Sequence, residues 1–141
     1  MERLHMGHLT EISVRSRERT EFIKLDTQIA KVVADSGVTD GVCHVVVPHT
    51  TAGVMINEGA DPSVVRDIGA KLAELVPREG HYAHADAERN ADSHIKAALV
   101  GSSAVVLIRD GAPVLGTWQS VFFCEFDGPR QRQVLLRVSG A

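Results

Sequence analysis

Alternation dominates the first part of the chain: Leu9, Glu11, Ser13 and Arg15 interleave with Thr10, Ile12, Val14 and Ser16. This period of two predicts a strand with one wet face. After a turn near Arg19, Phe22 to Leu25 reads as a second short strand. Asp26 or Thr27 is then placed to cap a helix that buries Ile29, Val32 and Val33, with Gly37 to end it. Beyond the Asp40-Gly41 turn, the valine-dense run Val42 to Val47 predicts a strand covered on both faces, which Pro48 stops. Val54 to Ile56 forms a further short strand carrying Asn57 and Glu58 at its end.

The next helix has the clearest start, with Asp61 as N-cap and Pro62 in the first helical position. Val64, Val65, Ile68, Leu72, Leu75 and Val76 share one stripe and Arg66, Asp67, Lys71 and Glu74 the other, before Pro77 and Gly80. Residues 78 to 90 have little apolar periodicity but contain His81, Tyr82, His84, Asp86 and Glu88. A helix capped by Asp92 should then face Ile95, Ala98 and Leu99 inward, hold His94 in its first turn and end at Gly101. Ala104 to Ile108 reads as a buried strand, Asp110-Gly111 as a turn, Val114 to Phe126 as one long strand, and Val134 to Val138 as the last. At ~3.3 Å per residue that long strand would reach about 43 Å in a domain with a radius of gyration near ~14 Å. Its two apolar faces, with Trp118 in the core or at a subunit contact, would then need cover from a neighbouring subunit.

Composition narrows the class. A chain of 141 residues with 44% apolar and 23% charged residues is one globular domain, residues 1–141, with residues 1–7 as a tail. No apolar run is long enough for a bilayer span and the first eight residues lack a signal-peptide pattern, so a cytoplasmic protein is expected. A net charge of -3 argues against nucleic acid as partner. Cys43 and Cys124 lie inside apolar runs and read as reduced, buried thiols.

Seven histidines are the compositional outlier. His49 follows a strand, His84 sits in the polar segment and His94 at a helix start, positions from which three imidazoles can converge on one metal. His5, His8 and His44 read as tail or surface residues, and His81 stays open. Gln119 and Glu125 inside an apolar strand need partners. Arg130 and Arg132 read either as a solvated basic turn or as donors to a phosphate. Nucleotide loops, dinucleotide fingerprints and the G-x-S-x-G elbow are absent from the sequence.

Three blocks carry a resemblance: H-T-T-A-G-V-M-I-N-E-G-A-D-P from His49, N-A-D-S-H-I-K-A-A-L-V-G-S-S from Asn90, and L-G-T-W-Q-S-V-F-F-C-E-F-D-G-P-R from Leu115. Together they resemble the YjbQ-like family, also labelled secondary thiamine-phosphate synthase, over residues 9 to 138. The resemblance implies an α+β domain with a mixed, mainly antiparallel sheet and about three helices, assembled as a homotrimer. It implies His49, His84 and His94 as ligands of a divalent metal, with zinc the first choice. Asn57, Glu58, Gln119 and Glu125 are then the catalytic candidates, and Thr50, Thr51, Asp61, Lys96, Thr117 and Arg130 the substrate-binding ones. Gly59 departs from the asparagine frequent in the family. The implied reaction joins hydroxymethylpyrimidine diphosphate to a thiazole phosphate with loss of pyrophosphate, its small-molecule substrates being phosphorylated. Two other readings stand beside it: a metal-assisted hydrolase with Glu58 or Glu125 as base, and a non-catalytic trimer that binds a metal or small ligand.

Overall fold

Valine-rich strands separated by tight turns build two antiparallel sheets. The computed structural model describes residues 8–85 and 87–141. The expected tail, His5 within it, and Asp86 lie outside the described residues. In chain order the elements are β1 (His8–Arg15), β2 (Glu21–Lys24), α1 (Asp26–Ser36), β3 (Asp40–Val46), β4 (Ala52–Glu58), α2 (Pro62–Leu75), α3 (Ala91–Val100), β5 (Ser103–Arg109), β6 (Ala112–Val114), β7 (Gln119–Glu125) and β8 (Gln131–Gly140). A five-stranded sheet runs β1-β8-β3-β5-β6 and a three-stranded sheet β2-β7-β4. This is an α+β domain in which every described strand pairing is antiparallel.

The sheets face one another across the main core, where Cys43, Val45, Val106, Val134 and Leu136 of the larger sheet meet Val54, Val121 and Phe123 of the smaller one. Helix α1 adds Ile29 and Val33 to this core. On its other face the smaller sheet presents Phe122 and Cys124 to Val65 and Leu72 of α2 and to Ala97 and Val100 of α3. Both thiols are buried and unpaired, and burial pushes them up to about 11 at Cys43 and about 12 at Cys124.

Several expectations give way here. The span Val114 to Phe126 is not one strand: β6 ends at Val114 and β7 begins at Gln119 in the other sheet. Between them the Gln119 N–H donates to the Gly116 carbonyl at 3.0 Å, and Gln119 Oε1 accepts from the Gly116 N–H at 2.8 Å. The chain must cross between sheets, so it turns, and strand length no longer argues for a neighbouring subunit. Trp118 sits on this turn 64% exposed rather than in the core.

The strands of the larger sheet are covered on one face only. Val46, Val105 and Leu107 are exposed on the other, with His44 beside them. Helix α3 is inverted with respect to its apolar pattern: Asp92, Ser93, Lys96 and Ala97 are buried while Ile95 and Leu99 are exposed. Asp92 does not cap it; Asn90 holds the N-cap position. Asp26 does not cap α1 either, because its Oδ1 accepts from the Val121 N–H of β7 at 2.8 Å. Asp61 does cap α2, accepting from the Ser63 N–H at 2.9 Å, although the stripe of that helix is only half-buried and Leu75 faces solvent. Gly37, with φ 74°, closes α1, and the Asp110-Gly111 pair with φ 55° and 77° makes the tight turn joining β5 to β6.

Candidate functional site

The open end of the sandwich, where β3 delivers its chain into β4, carries a polar cavity of about 370 Å³ lined by Pro48, His49, Thr50, Thr51, Glu88, Asn90, His94, Asp127, Arg130 and Arg132. Pro48 ends the strand and sends the chain outward. An apolar hollow of about 320 Å³, lined by Tyr82, Ala83, His84, Ala91, His94 and Ile95, lies beside it. His94, in the first turn of α3, belongs to both. A further hollow of about 380 Å³ is bordered by His49, Thr50, Ala52, His94 and Ala97.

His84 and His94 meet edge to face with ring centroids 5.2 Å apart. His84 Nε2 is 3.0 Å from Asn90 Oδ1. Asn90 Nδ2 donates to Asp127 Oδ2 at 2.9 Å, which fixes Asn90 Oδ1 as the acceptor and Nε2 of His84 as the protonated nitrogen. His49 Nε2 lies 3.0 Å from the Gln133 N–H and 3.2 Å from its carbonyl, so either tautomer finds a backbone partner. Only donation to the carbonyl leaves Nδ1 a lone pair for a metal or a proton. Burial, and then the charge of Arg132, lower the His49 pKa, which keeps the ring neutral. Imidazoles oriented this way suit zinc in kind. Among the described residues, however, no group of three or more His, Cys, Asp or Glu side chains is drawn close enough to hold a metal ion.

The floor is ionic. Arg132 donates from Nε to Glu125 Oε1 at 2.9 Å and from Nη2 to Glu125 Oε2 at 2.5 Å and Thr51 Oγ1 at 2.8 Å. Glu125 also accepts from Ser16 Oγ at 2.7 Å and the Asp127 N–H at 3.0 Å. Burial alone would raise this carboxyl's pKa, but the bonds from Arg132, Ser16 and Asp127 together with the charge of Arg132 outweigh it and hold the pKa down. Gly128 lets the following turn close on this cluster, since a Cβ there would lie 2.3 Å from the Glu18 carbonyl and 2.6 Å from Ser16 Oγ. On the rim, Arg130 is bound to Asp127 at 2.9 Å and approaches Glu88 at 3.5 Å. Beneath α3, buried Asp92 accepts from Arg19 at 3.1 and 3.2 Å and from Lys96 at 2.9 Å. Ser93 Oγ donates to the Phe126 carbonyl at 2.5 Å, which seats the helix and aims His94.

The expected site residues are thus divided. His49, Thr50, Thr51, His94 and Arg130 share the polar cavity, and His84 stands next to His94. Glu125 lies behind Arg132 with its carboxylate already occupied, which leaves it no geometry for a base. Lys96 is buried on Asp92 and does not line the cavity. Asn57, Glu58, Asp61, Thr117 and Gln119 gather at the opposite end of the smaller sheet, where Glu58 pairs with Gln119 while Ala52 pairs with Glu125. Six residue steps at ~3.3 Å put those ends about 20 Å apart, so these residues do not share a cavity with the histidines of their own chain. Glu58 Oε2 instead accepts from the Ala60 and Asp61 N–H groups at 2.8 and 3.0 Å, shaping the entry to α2. His81 is exposed.

Sequence reasoning missed Asn90, Asp127, Arg19 and Asp92. Asn90 and Asp127 bracket segments that read as a helix start and a turn, and only their meeting in space makes them a pair. Arg19 read as part of a turn, Asp92 as a helix cap and Lys96 as a substrate-binding residue, so the ion pairs that join them were not seen. The signal that remained was the mismatch between a polar D-S-x-x-K stripe and an apolar I-x-x-x-L stripe on one short helix.

The family model described as "UPF0047 protein YjbQ-like" matches residues 10–141. A UPF0047 protein of Methanocaldococcus jannaschii is 44% identical over 132 residues, covering 94% of this chain and 94% of its own. YugU of Bacillus subtilis is 37% identical over 132 residues, covering 94% and 99%. Among solved structures, a YjbQ/UPF0047 family protein from Clostridium acetobutylicum superposes with a TM-score of 0.88 at 46% identity, over 92% of this chain and 98% of that one. A YbjQ-like protein from Sulfolobus solfataricus gives 0.91 at 30% identity, over 96% and 98%. With the family model spanning all but the first residues and the fold shared across these structures, the chain belongs to the UPF0047 family of YjbQ-like proteins.

Proposed function

We propose that this protein is a transferase of the thiamine-phosphate synthase type, joining a hydroxymethylpyrimidine diphosphate to a thiazole phosphate with release of pyrophosphate. The observation that carries the reading is the bipartite site: an apolar hollow of about 320 Å³ and a polar one of about 370 Å³ share His94 as a common wall. A ring fits the first and a phosphorylated group the second, and holding two reactants in such adjoining compartments is itself a large part of catalysing their union. His49, its pKa lowered by burial and by Arg132, offers one ring lone pair at the boundary, for a metal or, in its place, for a proton. Thr50 and Thr51 supply hydroxyls to the polar side.

A divalent metal, zinc in the first place, belongs to this proposal. His84 and His94, which stand together, would hold it, with His49 as third ligand only if it is drawn towards them, and it would supply Lewis-acid stabilisation of the departing pyrophosphate. The hydrolase alternative loses ground, because neither of its candidate bases, Glu58 and Glu125, lines the cavity.

Assembly as a homotrimer in the cytoplasm completes the proposal. Its support is exposed apolar side chains in two places, Val105 and Leu107 on the uncovered face of the larger sheet and Leu99 on α3. No helix among the described residues is long and apolar enough to cross a membrane.

The test is incubation of purified protein with the two phosphorylated substrates and a divalent metal, with separate detection of thiamine phosphate and pyrophosphate. Coupled appearance of both supports the synthase. Pyrophosphate released without the joined product would turn the reading towards hydrolysis.

A further inference from the structure

The guanidinium of Arg132 carries five N–H bonds, and the three hydrogen bonds it makes use Nε and Nη2 alone: 2.9 and 2.5 Å to Glu125 and 2.8 Å to Thr51. Nη1 makes none of them. Among the described residues no buried side-chain nitrogen or oxygen lacks a partner, so Nη1 is not sealed into the core. Arg132 lines the polar cavity beside His49, Thr50 and Thr51 with its side chain only 7% exposed, and with Nε and Nη2 turned to buried Glu125 the cavity is the side left for Nη1.

We infer that Arg132 Nη1 is the floor of an oxyanion subsite that takes the phosphoryl oxygens of a small phosphorylated ligand, with Glu125 and Thr51 as the residues that position it. This deepens the transferase reading and rests on it, by naming the group that receives the phosphorylated part. Of the two arginines that the sequence offers as phosphate donors, Arg130 is tied at 2.9 Å to Asp127 and stands 3.5 Å from Glu88, two carboxylates that compete with any incoming anion. Arg132 differs in kind. Its one carboxylate partner lies on the core side, and the bidentate bond leaves the opposite edge of the guanidinium presented to the cavity. The arginine is therefore already desolvated and oriented before a ligand arrives, and binding demands little further ordering of the side chain. The hydroxyl of Thr50 lies around the same cavity.

Removing Arg132 alone would strand the Glu125 charge, so the test removes the pair together. Inorganic pyrophosphate is titrated calorimetrically into wild-type protein, into the double variant Glu125→Gln/Arg132→Gln and into a surface control, Lys71→Gln/Glu74→Gln, which deletes an exposed pair on α2. The double variant should bind at least about tenfold more weakly, since a charge-assisted bond is lost, and the control should bind as wild type. A second measurement needs no variant: in wild-type protein labelled with ¹⁵N-arginine, the Arg132 Nε–H resonance should shift and saturate with pyrophosphate. Equal affinity in the double variant, an Arg132 resonance that stays still while pyrophosphate binds, no pyrophosphate binding by the wild type at millimolar concentration, or equal competition by acetate would each overturn the subsite. The two readings separate cleanly. Arg132-dependent binding without any synthase turnover removes the transferase and keeps the subsite, whereas turnover with Arg132-independent binding does the reverse.

Discussion

The rings of His84 and His94 lie edge to face at 5.2 Å between centroids, one delivered by an irregular loop and the other by the first turn of α3. A loop and a helix that are independent in sequence are thus joined at one point, and Asn90 Oδ1, 3.0 Å from His84 Nε2, is the bond that holds the loop to the helix start. If a zinc ion uses this pair, His84→Ala and His94→Ala should each lower its affinity by about 100-fold or more, while Asn90→Ala should lower it less by loosening one ring, an effect of ~10-fold for an orienting bond. Competition against a chromophoric chelator measures all three. Unchanged zinc affinity in both histidine variants would remove the metal from this site.

Glu125 and Arg132 make the strongest stability prediction. Glu125→Gln should destabilise the fold by about 3–5 kcal/mol, because it leaves a buried guanidinium unpaired, whereas Glu125→Gln/Arg132→Gln should recover part of that loss. Urea denaturation of the two variants against wild type gives the comparison, and a single variant more stable than the double would contradict it.

Acid should unfold the protein in a definite order. His49, with a lowered folded pKa, contributes stability that is full above its unfolded value near ~6.5 and is lost as pH falls through its folded value. Glu125 and Asp92 are also lowered, so their contributions are full above about 4.3 and 3.9 and are lost as pH falls through their folded values. Denaturation midpoints measured from pH 8 to 3 should show a shallow decline below about 6.5 and a steep one below about 4. In Glu125→Gln/Arg132→Gln the steep part should flatten.

Much of the fold was legible because its turns are chemically explicit. Asp61-Pro62, Gly37 and Asp110-Gly111 each mark a boundary that the structure places within a residue or two. What was illegible depends on tertiary partners. Val114 to Phe126 has few polar positions, and the single glycine, Gly116, does not by itself say that the chain turns there from one sheet into the other. At the site, His49, Thr50, Thr51 and His94 could be picked out by their positions at element ends. Arg132 was legible only as one of two alternatives, a solvated basic turn or a phosphate donor, because its burial depends on Glu125 of the other sheet. Glu58 and Gln119 were grouped with the histidines because polar side chains on apolar strands need partners, yet a seven-residue strand carries Glu58, and Gln119 paired with it, to the far end.

Gly59 provides a test of local packing. A Cβ at this position would sit 2.0 Å from Ser120 Oγ and 2.5 Å from Ser120 Cβ, so the glycine and the serine of the facing strand are fitted to each other. Gly59→Ala should cost about 1–3 kcal/mol by overpacking, and Gly59→Ala/Ser120→Gly should cost less than Gly59→Ala alone. Thermal melts of the single and double variants decide this, and additive losses would show that the contact is not the cause.

Oligomer size tests the uncovered sheet face. Light scattering at micromolar concentration should return a multiple of the 15.2 kDa chain, and three times that mass for the proposed trimer. Leu107→Glu, on the exposed face, should shift the protein towards the single-chain mass without lowering its helix content. A wild-type mass of one chain would end the trimer proposal.

Helix α3, turned with its polar side inward, has a mechanical consequence. A helix seated on apolar contacts can slide or rotate a little at small cost, since such contacts have no preferred direction. Here the apolar contacts of Ala97 and Val100 are joined by directional bonds to the rest of the fold, from Arg19 to Asp92 and from Ser93 to the Phe126 carbonyl. A rotation by one residue, about 100°, would break all of them at once. The helix therefore behaves as a keyed shaft, and its key sets the angle at which His94 faces the two compartments. Ligands must enter and leave around a fixed post, and the moving parts of any catalytic cycle have to be sought in the loop that brings His84.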